Sequence, residues 1–371
     1  MYNLPTTLTQ LTFGDSFNQP IEPGSLPPKL ISLTFGSHFD QVIIAGALPS
    51  TLKTLTLGIH FDQVIHPSTL PNSTLLMFNY CVKPIIAHSL PTLLTELTYG
   101  KRSQRPVPSS FQLLNPSSLP RSLTSLRLGG EFNQEMMDDV FPTNLRTLTF
   151  GSKFNQPIGF IRLLPNLTSL TFGNCFSQPL SKDCFPPSLK TLGLSFGRPL
   201  NPNTIPDSLT SLVLGNNITV NDGRDLNNVT NLAVSSQTHL NINVKGSSVK
   251  NLTTRYRLNS NRRGTRLLGT CPHLDTLLEW VDCLPADESG EERSWSTKIG
   301  MCPSNVTTYR LMVNSKKMII HMRRIDSSHT LVIHSPMPND IDANRHDHLV
   351  VDPPSLMPTQ SGSLNVHFLR R

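Results

Sequence analysis

The chain has 371 residues, 31 of them proline, with a net charge of +7 and only 15% charged residues. Low charge together with regularly spaced apolar residues excludes a disordered chain, which combines low hydrophobicity with high net charge. The net charge is +2 over residues 1–222 and +5 over the remaining 149. Neither part shows the basic stripe typical of nucleic-acid-binding proteins, so we expect no nucleic-acid partner.

The sequence carries no sign of export or of membrane insertion. The first residues show no secretory signal, and no apolar run approaches the ~18 residues of a membrane-spanning helix. The six cysteines have no Cys-x-x-Cys spacing. This pattern predicts reduced thiols in a cytoplasmic protein with no membrane partner.

From Leu4 onward a 22-residue unit recurs, with the general form L-P-x-x-L-x-x-L-x-F-G-x-x-F-N-Q-P-I followed by four variable residues. A period of this size indicates stacked coils. The fourth unit is slightly shortened, and the step from Leu90 to Leu119 is longer than the regular one, which places an insertion over 101–118. The units begin at Leu4, Leu26, Leu48, Leu70, Leu90, Leu119, Phe141, Leu164, Phe185 and Ile205.

Each part of the unit has a physical role, as the seventh copy shows. Leu148 and Phe150 share one face of a short strand and point into a core that only neighbouring coils can complete. Gly151 suits a turn with positive φ. Phe154 predicts a column of stacked aromatic rings, and Asn155, with the Gln that follows it, predicts amide bridges from coil to coil.

These features predict an all-β, leucine-rich-repeat-like solenoid of 22-residue repeats with one parallel sheet and a small β-rich C-terminal cap. We expect regular repeats over 4–220, degenerate repeats with a 20-residue step over 221–258, and the cap over 259–371.

Within the cap, residues 271–285 have helical spacing of their apolar side chains. Segments 309–313, 317–325 and 330–334 are predicted strands, the last two forming a hairpin. The tail from Ser335 is predicted to be mostly irregular.

The Phe-Asn-Gln-Pro-Ile of the first and seventh units, on a Leu-Pro-based repeat, resembles the FNIP repeat family of social amoebae and giant viruses. The resemblance covers about residues 4–220 and implies a leucine-rich-repeat-like solenoid. Many family members carry an F-box, and a few a kinase domain, ahead of the repeats. Because the first unit starts at Leu4, we expect neither here, so a role as substrate receptor of a ubiquitin ligase would need a separately supplied F-box.

No pattern indicates catalysis, so we expect a protein that is not an enzyme, with no small-molecule substrate and no cofactor. Two sets of residues are candidate metal ligands: His346 with His348, and Cys271 with His273, Cys283 and Cys302. Neither spacing matches a zinc module, in which close ligand pairs occur twice. A C-terminal enzyme or metal module is the third alternative, and it predicts bound zinc.

The strand face, meaning the outward-pointing residues at the first and third positions of each strand, is rich in Thr and Ser. One interpretation is structural, because β-branched Thr suits an exposed strand. The functional alternative is a platform for an unidentified protein partner, with specificity near the insertion and where Glu96, Arg127, Gly193 and Val213 interrupt the pattern. The candidate protein-binding residues are Thr12, Thr34, Thr56, Glu96, Thr98, Arg127, Thr149 and Thr171.

Overall fold

A computed structural model gives the structure of the chain. It describes residues 4–73, 75–78, 83–100, 114–195, 199–200, 204–215, 218–234 and 246–256, together with the backbone of five later strands. The chain divides into two compact units, residues 1–190 and 191–371.

In the first unit, eight short strands pair in parallel, each with the next along the chain. We call the repeat that contains strand βn coil n. Two 3₁₀ helices, Gly159–Leu163 and Lys182–Cys184, follow β7 and β8. The strands are Gln10–Thr12 (β1), Ser32–Thr34 (β2), Thr54–Leu57 (β3), Leu75–Phe78 (β4), Glu96–Tyr99 (β5), Ser125–Leu128 (β6), Thr147–Thr149 (β7) and Ser169–Thr171 (β8).

The second unit continues the pattern of parallel strands and ends in antiparallel ones. Strands β9, β11, β13, β14, β15 and β16 pair in parallel, β16 to β19 pair antiparallel, and β10 pairs with β12. One 3₁₀ helix, Gly223–Leu226, follows β12. The strands are Thr191–Leu194 (β9), Pro199–Leu200 (β10), Ser211–Leu214 (β11), Thr219–Val220 (β12), Asn231–Val234 (β13), Asn251–Tyr256 (β14), Thr276–Val281 (β15), Thr308–Val313 (β16), Met318–Arg324 (β17), His329–Pro336 (β18) and Asn365–Arg370 (β19).

The predicted all-β, leucine-rich-repeat-like solenoid is confirmed. The structure also confirms the 20-residue step, with Asn231 opposite Asn251, and the antiparallel pairing of the predicted hairpin strands. The turn of that hairpin lies outside the described residues. The domain boundaries at 220 and 258 stay a prediction, although parallel pairing runs on to Val313.

One prediction for the C-terminal region is wrong. Residues 276–281, whose apolar spacing suggested a helix, form β15, because a short apolar run does not distinguish helix from strand and parallel pairing with β14 decides the outcome. The tail, predicted to be mostly irregular, contains one strand, β19 at residues 365–370, which pairs with β18.

The core of the first unit consists of inward-pointing leucines and aromatic rings. Leu33, Leu55, Leu148 and Leu170 are completely buried. The corresponding Leu11 of coil 1 is only half-buried. Since a coil buries its apolar side chains against both neighbours, the core is complete from coil 2 onward.

The predicted aromatic column is confirmed. Within coil 7, the rings of Phe150 and Phe154 stack with centroids 3.8 Å apart. From coil 7 to coil 8, Phe154 and Phe176 lie 6.2 Å apart and almost parallel. In coil 5 the aromatic residue at the end of the strand is Tyr99, whose hydroxyl donates to the carbonyl of Lys83, so the extra polar group is paired.

The glycine that follows each strand was expected to adopt positive φ, and this is correct for Gly100 but wrong for most of the others. Gly151 is needed for a different reason: a Cβ built there would lie 2.1 Å from the carbonyl oxygen of Gly129 in the preceding coil. Because the two backbones touch, no side chain fits between them. Positive φ occurs instead at another corner of the coil, at Gly24 and Gly46.

The predicted amide bridges are also confirmed. Oδ1 of Asn155 accepts the backbone N–H of Ser177 at 2.9 Å and the side-chain amide of Gln178 at 3.1 Å. In coil 2 a carboxylate, Asp40, fills the same place and accepts from Asp62 and Gln63. Since only an oxygen acceptor is used, Asn and Asp are interchangeable at this position.

We predict that Gly151→Ala destabilises the chain by about 2–3 kcal/mol, the cost of forcing atoms into close-packed structure. Gly14→Ala is the matched control, because Gly14 occupies the same place in coil 1 with nothing within 4 Å of an added Cβ. Gly14→Ala should change the free energy of unfolding by no more than about 0.5 kcal/mol. Urea unfolding followed by circular dichroism measures both, and equal midpoints for the two variants would contradict the assigned role of Gly151.

We predict that Asn155→Leu lowers the free energy of unfolding by about 1–3 kcal/mol, because a half-buried N–H and an amide lose their hydrogen-bond acceptor. Asn155→Asp keeps the Oδ1 acceptor, as Asp40 does in coil 2. Its free energy of unfolding should therefore be much closer to that of the unsubstituted chain. The same unfolding measurement applies. If the two variants were equally unstable, the hydrogen bonds would not be what Asn155 contributes.

The pKa of Asp15 should fall below its ordinary value of 3.8, because the backbone N–H and then the hydroxyl of Ser37 donate to its carboxylate. A lowered folded pKa means that this interaction stabilises the chain above pH 3.8 and is lost as the pH falls through the folded pKa. Carbon-13 NMR titration of Asp15 measures the value. Ser37→Ala should raise it, and an unchanged titration would exclude the hydroxyl as a cause.

Candidate functional site

The strand face of the first unit forms two columns of side chains that run across all eight strands. Ladder pairing places the first positions side by side, and likewise the third positions, as with Thr34 beside Thr56. The columns follow from strand geometry, since residues i and i+2 lie on one face and neighbouring strands lie about 4.8 Å apart. The first column is Gln10, Ser32, Thr54, Leu75, Glu96, Ser125, Thr147 and Ser169, and the second is Thr12, Thr34, Thr56, Met77, Thr98, Arg127, Thr149 and Thr171.

All eight candidate binding residues lie on this face. Seven of them belong to the second column, and Glu96 belongs to the first. The side chains of Thr12 and Glu96 are exposed and the other six are half-buried. The structure therefore brings the candidates together on one surface, while their role in binding stays a prediction.

The sequence did not place the two face residues of coil 4, Leu75 and Met77. They occupy the places that Thr54 and Thr56 take in coil 3. Counting one regular repeat forward from Thr54 gives Leu76 instead, which is completely buried. Aligning coil 4 from its strand, with Leu76 and Phe78 inward, would have identified both residues.

A shortened turn causes this shift of register. In other coils the turn before the strand is closed by a hydrogen bond between the repeat's Pro and the Leu three residues after it. In coil 3, for example, the N–H of Leu52 donates to the carbonyl of Pro49 at 3.1 Å. In coil 4 the N–H of Ser73 donates to the carbonyl of Pro71 at 2.7 Å, one residue earlier. The strand consequently starts one residue sooner.

The face of the first unit carries little charge. Its sixteen positions, two in each of eight strands and all described, include Glu96 and Arg127 as the ionisable members. Leu75 lies directly beside Glu96, and Met77 beside Thr98. An uncharged hydroxyl surface is thus interrupted within coils 4 to 6 by two apolar side chains, one carboxylate and one guanidinium.

The clear pKa shifts among the described residues lie away from this face. Asp15 is held by Ser37, in a turn. In the second unit, hydrogen bonds from the side chain and then the backbone of Arg224 lower the pKa of Asp222, and the pair raises the pKa of Arg224. The Asp222 carboxylate also accepts the backbone N–H of Arg224 at 2.9 Å and so caps the start of the 3₁₀ helix Gly223–Leu226.

The outward residues of the second unit are smaller and include amides. Gly193 and Val213 replace Thr at the third position, as the sequence indicated, and Ala233 does so as well. Asn251 donates to Oδ1 of Asn231 at 2.7 Å, which links the two strands.

The candidate metal ligands of the C-terminal region lie outside the described residues. Within the described part of the chain, no three His, Cys, Asp or Glu side chains lie close enough together to hold a metal ion. Among the same residues, no helix is long and apolar enough to cross a bilayer.

Comparisons with known proteins identify a repeat family in the chain. The model of the FNIP repeat matches residues 2–38, 39–76, 112–153, 132–175 and 154–197. No curated protein matches significantly.

A solved structure supports the same conclusion. The crystal structure of CroV588, a giant-virus protein described as a novel circular LRR protein, is 30% identical with a TM-score of 0.59. The match covers 83% of this chain and 47% of that one, so the chain spans about half the length of this relative. With the coil hydrogen bonds described above, these matches show that the chain carries FNIP repeats, which build a leucine-rich-repeat-like solenoid here.

Proposed function

We propose that the chain is a non-enzymatic scaffold that binds a protein partner through the strand face of the first unit. One observation carries the proposal: two columns of mostly hydroxyl side chains are held in register over eight paired strands, and Glu96 and Arg127 are placed among them. Repeat solenoids commonly bind partners on such extended surfaces.

The composition of the face supports a protein rather than another class of partner. Threonine and serine hydroxyls both donate and accept hydrogen bonds, so they can pair with a partner's backbone and polar side chains. A nucleic acid would require an excess of positive charge, and the face carries one acidic and one basic residue.

A cytoplasmic location belongs to the same proposal. Cys175 is an exposed free thiol and Cys184 is a half-buried one. Exposed thiols suit a reducing compartment. The alternative role, as a substrate receptor that works with a separately supplied F-box, would use the same surface to hold its substrate.

Site-specific photo-crosslinking tests the proposal in cells that express the full chain. A benzoylphenylalanine at Thr149 should crosslink a discrete partner, whereas the same probe at Lys153 should not. Both residues belong to coil 7, but Lys153 is exposed in the turn after the strand, away from the strand face. Equal crosslinking from both positions would contradict a binding role for the face.

The double substitution Glu96→Ala, Arg127→Ala should reduce the yield of the crosslink from Thr149 about tenfold. This is the effect of losing about 1.4 kcal/mol of binding free energy. Neither side chain belongs to the buried core, so circular dichroism should show a folded chain. An unchanged yield would exclude these two residues as determinants of specificity.

A further inference from the structure

Coil 4 places two apolar side chains where the other coils of the first unit have polar ones. Leu75 and Met77 lie on the strand face between the threonines of β3 and Glu96 and Thr98 of β5. Both remain partly accessible to solvent. All other positions on this face of β1–β8 are occupied by Gln, Ser, Thr, Glu or Arg.

The core does not require this pair. The inward residues of β4, Leu76 and Phe78, are 0% and 1% exposed, so coil 4 already contributes fully to the interior. Threonine at both outward positions is compatible with a paired strand, as Thr54 and Thr56 show in the neighbouring coil. Neighbouring apolar side chains rimmed by polar ones offer a surface on which an apolar group of another molecule can pack.

Coil 5 adds a second, independent departure. Leu93, in the turn before β5, is 55% exposed. At the same place Thr51 and Ser122 donate to carbonyls of the preceding coil, at 2.7 Å and 2.6 Å. Leucine cannot make this hydrogen bond, so coil 5 has exchanged a structural contact for exposed apolar surface.

The family comparison points to the same coils. The FNIP repeat matches end at residue 76 and resume at residue 112. Met77, Leu93 and Glu96 therefore lie in the stretch where the chain departs from the family pattern, while Leu75 stands at its border.

Charge indicates which partner fits. The exposed carboxylate of Glu96 lies one strand away from Leu75, a spacing of about 4.8 Å. A partner that covers the apolar pair must also meet this carboxylate, and burying it without a counter-charge is costly. A cationic side chain on the partner satisfies it, whereas an acidic surface or a nucleic-acid backbone would be repelled.

We propose that Leu75, Met77 and Glu96 form the specificity centre of the strand face. Its partner is a protein segment that presents a large apolar side chain next to a lysine or arginine. The apolar side chain packs on Leu75 and Met77, and the cation pairs with Glu96. This inference rests on the proposed function, because it selects one part of the binding face.

The test is a selection of random dodecapeptides, displayed on phage, against the immobilised full-length chain. The enriched peptides should share an apolar residue close to a lysine or arginine. Replacing both apolar side chains, as Leu75→Thr with Met77→Thr, should weaken their binding at least tenfold by fluorescence anisotropy. Because threonine occupies these places in coil 3, the variant should unfold at nearly the same temperature as the unsubstituted chain.

The matched control is Met137→Thr with Leu163→Thr. It replaces the same two residue types by the same residue, at positions that are 51% and 43% exposed and lie off the strand face. Its binding should change less than twofold. A third variant, Glu96→Lys, should select peptides with aspartate or glutamate in place of lysine or arginine.

Three results would overturn the inference. Enriched peptides could lack the apolar and basic pair, or the control could weaken binding as much as the Leu75 and Met77 variant. The chain could also associate with itself through this face, which light scattering would detect as a dimer that the Leu75 and Met77 variant abolishes. If Thr149 still crosslinks a partner in any of these cases, the wider proposal stands and only the specificity centre fails.

Discussion

The strand-to-strand spacing of a parallel sheet is the constraint on which the rest of this structure depends. Each coil must repeat its neighbour at about 4.8 Å, and every group that crosses from coil to coil has to fit that distance. At Gly151 the distance leaves no room for a Cβ beside the backbone of coil 6. At Asn155 the same distance lets one side-chain oxygen reach both a backbone N–H and an amide of coil 8. The phenylalanine column fits it by stacking nearly parallel rings.

This constraint explains which features the sequence could predict. Leu148, Phe154 and Asn155 recur once in each regular repeat because each must meet its own copy in the next coil, so the period reveals the parallel sheet, the aromatic column and the amide bridges. The reason for Gly151 was not visible, because a glycine required by a neighbouring backbone and one required by positive φ look the same in sequence. The strand at 276–281 was missed because the step between strands lengthens there, from Asn251 to Thr276, and the repeat no longer supports the assignment.

The candidate site was predicted in part, for the same reason. Residues on the strand face lie outside the buried core, so their places follow from the register of the strand. Where the period holds, as for Thr34 and Thr149, the sequence places them correctly on the face. Coil 4 has a turn one residue shorter, closed between Pro71 and Ser73, and this change moved Leu75 and Met77 out of the counted register.

Substitutions at inward and outward positions therefore have different consequences for the fold. Replacing Leu76 or Phe78 would disturb two neighbouring coils at once, because both side chains are buried between them. Leu75 and Met77 point away from that core, so apolar side chains there cost the fold little and alter what the surface can bind. The turn tolerates a missing residue because Ser73 closes it earlier while β4 still pairs with β3 and β5. A solenoid of this type can therefore acquire a specific surface within one or two coils while the hydrogen-bond ladder that defines the fold stays intact.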